Sequence, residues 1–157
     1  VDAVSRPVLA AGGIVDGRSF AAARCLGAEG AWMGTRFVAT TEAYGHDRYK
    51  QRIVDGHSRD TVLTKAYTGK PLRTMRNEWT DEWSHRGDEI ADFPGQYAVA
   101  GIRVETGYQD GDVQLGMMPA GQAIETIHDI RPAGDVVRSI VADAEAVLAG
   151  ATRTDPS

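Results

Sequence analysis

Apolar residues in this chain gather into short runs that end in glycine, and two such runs lie close together. Pro7-Val8-Leu9-Ala10-Ala11 leads into Gly12-Gly13-Ile14, and Gly30-Ala31-Trp32-Met33 leads into Gly34-Thr35-Arg36-Phe37. A continuous apolar run of this length suits a strand covered on both faces, as parallel strands are. Between them, Asp16 to Gly27 is alanine-rich and of helical length, with Asp16 placed as N-cap and Gly27 as stop. Phe20, Ala23 and Leu26 form the face expected to pack on the sheet. Strand, glycine turn, helix, strand, glycine turn is a βα repeat, and both turns emerge on one edge of a parallel sheet. Backbone N–H groups and helix starts can converge there on a phosphate, as they do after the last strands of many (β/α)8 barrels. Gly12, Gly13, Gly34 and Thr35 are therefore the candidate phosphate ligands. The glycines admit backbone angles closed to other residues, and Thr35 adds a hydroxyl.

Beyond Phe37 the pattern predicts a helix from Thr41 to Val54, capped by Thr40 or Thr41 and closed by Gly56, with Tyr49 and Ile53 in i,i+4 contact. Thr61–Thr64 reads as a β-branched strand and Gly69-Lys70-Pro71 as a turn. Met75 to Trp83 reads as a helix with Trp79 and Trp83 on one face, suited to a core or interface, or alternatively to stacking on a flavin or adenine. Residues 85–116 hold no periodicity and carry Pro94-Gly95, Gly101, Gly107 and Gly111, the pattern of a long surface excursion. Ala120, Ala123, Ile124 and Ile127 have the spacing of an amphipathic helix. Pro132 to Leu148 is the clearest helix, with Val137, Ile140, Val141, Ala144 and Leu148 as its buried stripe and Gly150 as its end. Thr152 to Ser157 reads as a frayed tail. The chain thus divides into 1–45, two βα units with their turns; 46–116, an α+β excursion with a long loop; and 117–157, closing helices and tail.

Composition narrows the function. With 157 residues, 42% hydrophobic and 25% charged, the chain can bury a core of its own. A net charge of −5 without a lysine or arginine stripe argues against nucleic acid. No apolar run approaches a membrane span and no signal peptide is visible. Arginines dominate the 17 basic residues, and those between Arg48 and Arg86 either face an anionic ligand or form surface ion pairs. Cys25 is the single cysteine, so no internal disulfide forms. It reads as a buried structural thiol in a reducing, cytoplasmic protein. His46, His57, His85 and His128 show neither metal spacing nor pairing with a nucleophile, so the expectation is no metal and no assignable catalytic residue. A chain that starts at Val1 and almost at once enters a buried-type strand reads as the C-terminal part of a longer protein.

Several of these segments together resemble a known family. Ala10-Ala11-Gly12-Gly13-Ile14, Asp16-Gly17-Arg18, Leu26-Gly27-Ala28-Glu29-Gly30 and Met33-Gly34-Thr35-Arg36-Phe37 are similar to the nitronate monooxygenases, also called 2-nitropropane dioxygenases. The likeness continues through Asp60-Thr61-Val62-Leu63-Thr64, Gly69-Lys70-Pro71, Arg76-Asn77 and Ala120-Gly121-Gln122. The resemblance implies an α/β fold, the C-terminal part of a (β/α)8 (TIM) barrel: its last two βα units plus a helical and irregular extension. It implies FMN at the C-terminal ends of the strands, its phosphate on Gly12, Gly13, Gly34 and Thr35. Gly121 and Gln122 return toward the flavin, Gln122 either bonding flavin or substrate or serving as a helix start. The family's catalytic base belongs to an upstream half-barrel, expected as a partner in the same or a separate chain. The implied activity is oxidation of a small-molecule alkyl nitronate with O2. The alternative in the same superfamily is a NAD(P)H-dependent reductase of an enoyl or acyl thioester, whose carrier phosphates would suit the arginines. A non-catalytic phosphate-binding or assembly subunit is the third reading.

Overall fold

The computed structural model describes residues 1–151, so the expected tail at 152–157 lies outside the described residues. Strands β1 (Leu9–Ala11) and β2 (Gly30–Trp32) pair in parallel with Ala10 opposite Ala31, and α1 (Gly17–Cys25) connects them. Asp16 caps α1 as expected. Its carboxylate accepts from Ser19 N at 2.7 Å, and Ser19 Oγ accepts the Asp16 N–H at 3.2 Å, a reciprocal capping box. Gly27 ends the helix at φ +93°, with its own N–H on the Arg24 carbonyl and that of Ala28 on the Ala23 carbonyl. This is a Schellman motif, which needs a left-handed residue at that place.

The covered faces differ from expectation. Leu9 is 55% and Trp32 72% exposed, because each strand of a two-stranded sheet has one neighbour and little to cover its faces. On α1 the buried residues are Gly17, Ala21 and Ala23, and the helix packs on α7 (Ala133–Ala151). Burial stops there: residues 24–27 are all exposed, so neither Leu26 nor the Cys25 thiol is a core group. The buried stripe of α7 is Val136, Ile140 and Ala144, rotated from the expected one, and Val137 and Val141 are exposed. Gly150 lies inside α7 rather than ending it.

After β2 comes a single short helix, α2 (Thr35–Val38), and then α3 (Asp47–Val54). Helix α3 starts six residues later than expected because both threonines are engaged elsewhere. Thr40 Oγ1 donates to the Phe37 carbonyl at 2.8 Å, and Thr41 N donates to the Arg131 carbonyl at 3.1 Å. His46 caps α3 instead, its Nδ1 accepting from Arg48 N at 3.1 Å. Tyr49 and Ile53 are buried, as their spacing predicted, with Val15, Met75, Met118, Ile124 and Ile127 in one core. Ile124 and Ile127 reach that core from a short 3-10 turn, Gln122–Thr126, rather than from an α-helix.

Strand β3 (Thr61–Thr64) falls where its β-branched residues put it and pairs antiparallel with β4 (Leu72–Met75), Thr61 opposite Met75. Met75 therefore ends a strand, and α4 (Glu78–Ser84) begins after Asn77, whose side chain accepts from Thr80 N at 3.1 Å. Trp79 and Trp83 are core residues with ring centroids 5.5 Å apart, and Trp79 Nε1 donates to the Ala66 carbonyl, which leaves no face for a cofactor ring. The expected excursion holds two short helices, α5 (Gly95–Ala100) and α6 (Arg103–Gln109), which send Ala100 and Val104 into this second core. At six and seven residues they are too short to show helical periodicity.

Candidate functional site

The parallel register carries the ends of β1 and β2 to the same edge, and both glycine turns stand there. Gly12 and Gly13 follow β1 with φ of +87° and +74°, left-handed angles that let the chain double back before Asp16. Gly34 follows β2 in an ordinary right-handed conformation and caps α2. A side-chain carbon built on Gly12, Gly13 or Gly34 would meet no atom within 4 Å, so all three front open space. Among the described residues, the N–H groups of Gly13, Gly34 and Thr35 find no acceptor.

Thr35 joins a third segment to this edge. Its Oγ1 accepts the Gly121 N–H at 3.0 Å, which leaves the hydroxyl proton to donate outward. Gly121 arrives there because the preceding residues run alongside β4. Met75 N donates to the Met118 carbonyl at 2.9 Å, Met118 N to Thr74 Oγ1 at 3.0 Å, and Ala120 N to the Arg73 carbonyl at 3.2 Å. Five of the six expected site residues thus lie at the two turns or against Thr35. The sixth, Gln122, is exposed and opens the 3-10 turn, the helix-start alternative.

Arg36 was not singled out by its sequence context, yet it braces the second turn. Its side chain is 5% exposed, with Nη2 3.0 Å from Asp129 Oδ1 and 3.1 Å from the Ala39 carbonyl, and Nη1 3.2 Å from the Asp129 carbonyl. Burial lowers its pKa, and the Asp129 carboxylate works against that shift. A lone arginine inside the apolar run Trp32–Phe37 was the available signal, since such a residue must be paired when buried.

Beside Thr35 and Gly121 opens a cavity of about 640 Å³, walled by Tyr44, Tyr49 and Tyr108 and bordered by Arg73. The other arginines of the 48–86 stretch divide: Arg86 bridges Glu82 and Glu89 at 2.7 Å each and Arg76 lies 3.6 Å from Asp81, whereas Arg48, Arg52 and Arg59 have no carboxylate partner among the described residues. Among the described residues, no helix is long and apolar enough to cross a membrane.

Comparison with known proteins adds to this geometry. The nitronate monooxygenase family model matches residues 1–143. A probable nitronate monooxygenase of Staphylococcus aureus (strain MSSA476) is 37% identical over 143 residues, which is 90% of this chain and 39% of that protein. The structure of FabK from Thermotoga maritima superposes with a TM-score of 0.85 at 35% identity, covering 96% of this chain and 48% of its own. A nitroalkane oxidase from Streptomyces ansochromogenes superposes with the same score at 30% identity, covering 96% of this chain and 43% of its own. The chain therefore spans less than half the length of each. Its fold is the C-terminal part of a (β/α)8 barrel, in which β1–α1 and β2–α2 are βα units and the remainder is the extension.

Proposed function

We propose that this chain, which belongs to the nitronate monooxygenase family, holds the phosphate of FMN between its two glycine turns in a flavin-dependent oxidoreductase that oxidises alkyl nitronates. The observation that carries the reading is the open, donor-rich edge: three glycines facing empty volume, three backbone N–H groups without acceptors, and a threonine hydroxyl with its proton free. A phosphomonoester needs several donors arriving from different directions, and two strand ends supply them.

In this reading Gly13, Gly34 and Thr35 donate to the phosphate oxygens. Gly12 shapes the first turn. Gly121 fixes the Thr35 rotamer through its N–H, and the Arg36–Asp129 pair anchors the helix that Thr35 begins. When bound, FMN supplies the redox chemistry, taking electrons from the substrate and delivering them to O2. The other barrel strands, in the same or a separate chain, would pack where Leu9 and Trp32 are exposed, and would bring the catalytic base. The thioester-reductase reading leaned on the 48–86 arginines: ion pairs take up Arg76 and Arg86 and leave Arg48, Arg52, Arg59 and Arg73 without a carboxylate partner among the described residues.

Gly13→Val and Gly34→Val test the site. Gly34 has an ordinary backbone conformation and free space, so its variant keeps the fold while filling the phosphate's volume. Gly13→Val adds backbone strain, since a β-branched residue resists a φ of +74°. Fluorescence titration should show FMN binding lost in both. Unchanged affinity in both variants removes the phosphate from these turns. Rapid reduction of the bound flavin by NADH or NADPH would favour the reductase over the nitronate oxidase.

A further inference from the structure

Residues 93–102, Phe-Pro-Gly-Gln-Tyr-Ala-Val-Ala-Gly-Ile, run over the surface without a charged side chain. Helix α5 turns Gln96 and Ala100 inward on one face, where the Gln96 amide donates to the Ala66 carbonyl at 2.8 Å. Its outer surface is Tyr97, Ala98 and Val99, all exposed, so α5 carries no charge on any side. A helix that is apolar all round is ordinarily buried, whereas a solvent-facing one has a charged or polar outer face. Phe93 precedes the helix and Ile102 follows it, both exposed. The four large side chains Phe93, Tyr97, Val99 and Ile102 are 41% to 73% exposed and together present on the order of 400 Å² of apolar surface. That equals the largest apolar patch of a typical monomer, and is about half of the roughly 800 Å² that each partner buries in a standard interface. At the edge of the patch stand Asp92 and Lys70, the Lys70 Nζ lying 4.0 Å over the Phe93 ring. Among the described residues neither has an ion-pair partner. The face rests on the second core, whose buried residues run from Ala66 to Val104. Further barrel strands would join the β1–β2 sheet, whose elements contribute nothing to this core.

We propose that this face joins two copies of the chain about a two-fold axis. In such an interface one patch serves both sides, so each contact is made twice. Phe93, Tyr97, Val99 and Ile102 form its apolar centre. Lys70 of one protomer faces Asp92 of its partner, and Asp92 faces the partner's Lys70 in return. An uncharged centre holding aromatic side chains, with charge at the rim, is the composition of a protein interface. A second copy fits better than a strongly acidic or basic protein, because the rim carries a free cation and a free acid side by side. Such a rim complements itself, whereas a partner of one sign would meet a like charge. The assignment does not depend on the flavin, since Gly12, Gly13, Gly34 and Thr35 stand at the β1–β2 edge.

The test is sedimentation velocity on the whole protein over a dilution series, for wild type, Val99→Glu, Ile102→Glu, Lys70→Glu and the swap Lys70→Glu/Asp92→Lys. Wild type should be a dimer at about 100 μM. Each apolar-to-glutamate change sits at an exposed position, so the monomer keeps its fold, and enters the interface twice. Either should weaken dimerisation about a hundred-fold or more, since it buries a charge without a partner. Lys70→Glu sets acid against acid at both contacts and should weaken the dimer about ten-fold, and the swap should restore it. A monomeric wild type overturns the proposal. In that monomer, protection of Tyr97 from hydroxyl-radical footprinting would assign the cover to another segment of the same polypeptide. Co-sedimentation of the monomer with phosphatidylglycerol vesicles would assign it to a membrane surface, and either outcome overturns the dimer. A dimer that keeps its affinity in both glutamate variants is built on another face and overturns the proposal too, as does a charge swap no tighter than Lys70→Glu alone.

Discussion

Gly17→Ala should destabilise the protein although it places a better helix former at the first position of α1. Gly17 is buried where α1 meets α7. A methyl carbon there would collide with the Asp143 Cβ and stand 2.7 Å from the Ala144 nitrogen and 2.8 Å from the Ile140 carbonyl oxygen. None of these atoms is the tip of a flexible side chain. Restoring ordinary contact distances requires the helices to separate by roughly 1 Å, and gaps of that size forfeit much of the dispersion attraction along the interface. Overpacking of this kind costs about 1–3 kcal/mol, against which the helix propensity of alanine offsets at most about 1 kcal/mol. A net loss of about 1–2 kcal/mol follows, read as a lower urea midpoint with the slope of the transition unchanged. Gly150→Ala is the control: it sits in the same α7 with nothing within 4 Å of the added carbon. It should be neutral or stabilise by a few tenths of a kcal/mol, since it lies in the last turn. A Gly17→Ala protein as stable as wild type would refute the close α1–α7 contact.

Asp129→Asn removes the carboxylate facing buried Arg36; because Asp129 is 45% exposed the cost should be about 1.5–3 kcal/mol, below that of a wholly buried pair. Chemical denaturation reads it, and a loss under about 0.5 kcal/mol would count against the brace. Tyr67→Phe leaves Asn77 and the Leu115 and Gly116 carbonyls without the buried hydroxyl and should cost about 1–3 kcal/mol by the same assay. For Asp16, burial raises the pKa, but the Ser19 hydrogen bonds and the nearby Arg18 charge outweigh it, so the net pKa lies below the ordinary 3.8. A depressed folded-state pKa contributes stability that is present above 3.8 and disappears as pH falls through the folded value. Wild type minus Asp16→Asn stability should therefore be flat at neutral pH and decline in acid; a difference independent of pH would contradict it. Thr35→Ala should weaken FMN by about 1.5–3 kcal/mol in a fluorescence titration, a milder loss than either valine variant.

The two turns were legible because their signal is local. Glycine after a short apolar run, twice, with one helix between, constrains backbone geometry wherever it occurs, and Gly12 and Gly13 do adopt the left-handed angles that require glycine. The caps were legible for the same reason, Asp16 and Gly27 each acting within a few residues. What the sequence concealed depends on partners distant in the chain. Strand β4 carries Leu-Arg-Thr-Met, no strong strand signature, and exists because β3 and residues 117–120 lie on either side of it. Arg36 needed Asp129, 93 positions away, before it could be recognised as a brace. The stripe on α7 was misread by one residue at Val136 because α1 selects the face, and valines on both sides of the true stripe satisfy the same spacing. Cys25 and Leu26 read as buried because cysteine and leucine usually are, whereas burial on α1 ends at Ala23.

The central claim is that these turns bind a phosphate and not merely a flavin. The direct measurement is the affinity of wild type and Gly34→Val for FMN and for riboflavin, which differ only in that group. Wild type should prefer FMN by about a thousand-fold or more, the worth of at least two charged hydrogen bonds. Gly34→Val should lower FMN to the riboflavin level and leave riboflavin itself unchanged. Equal affinities for the two flavins in wild type, or an equal loss of both in the variant, would contradict the account.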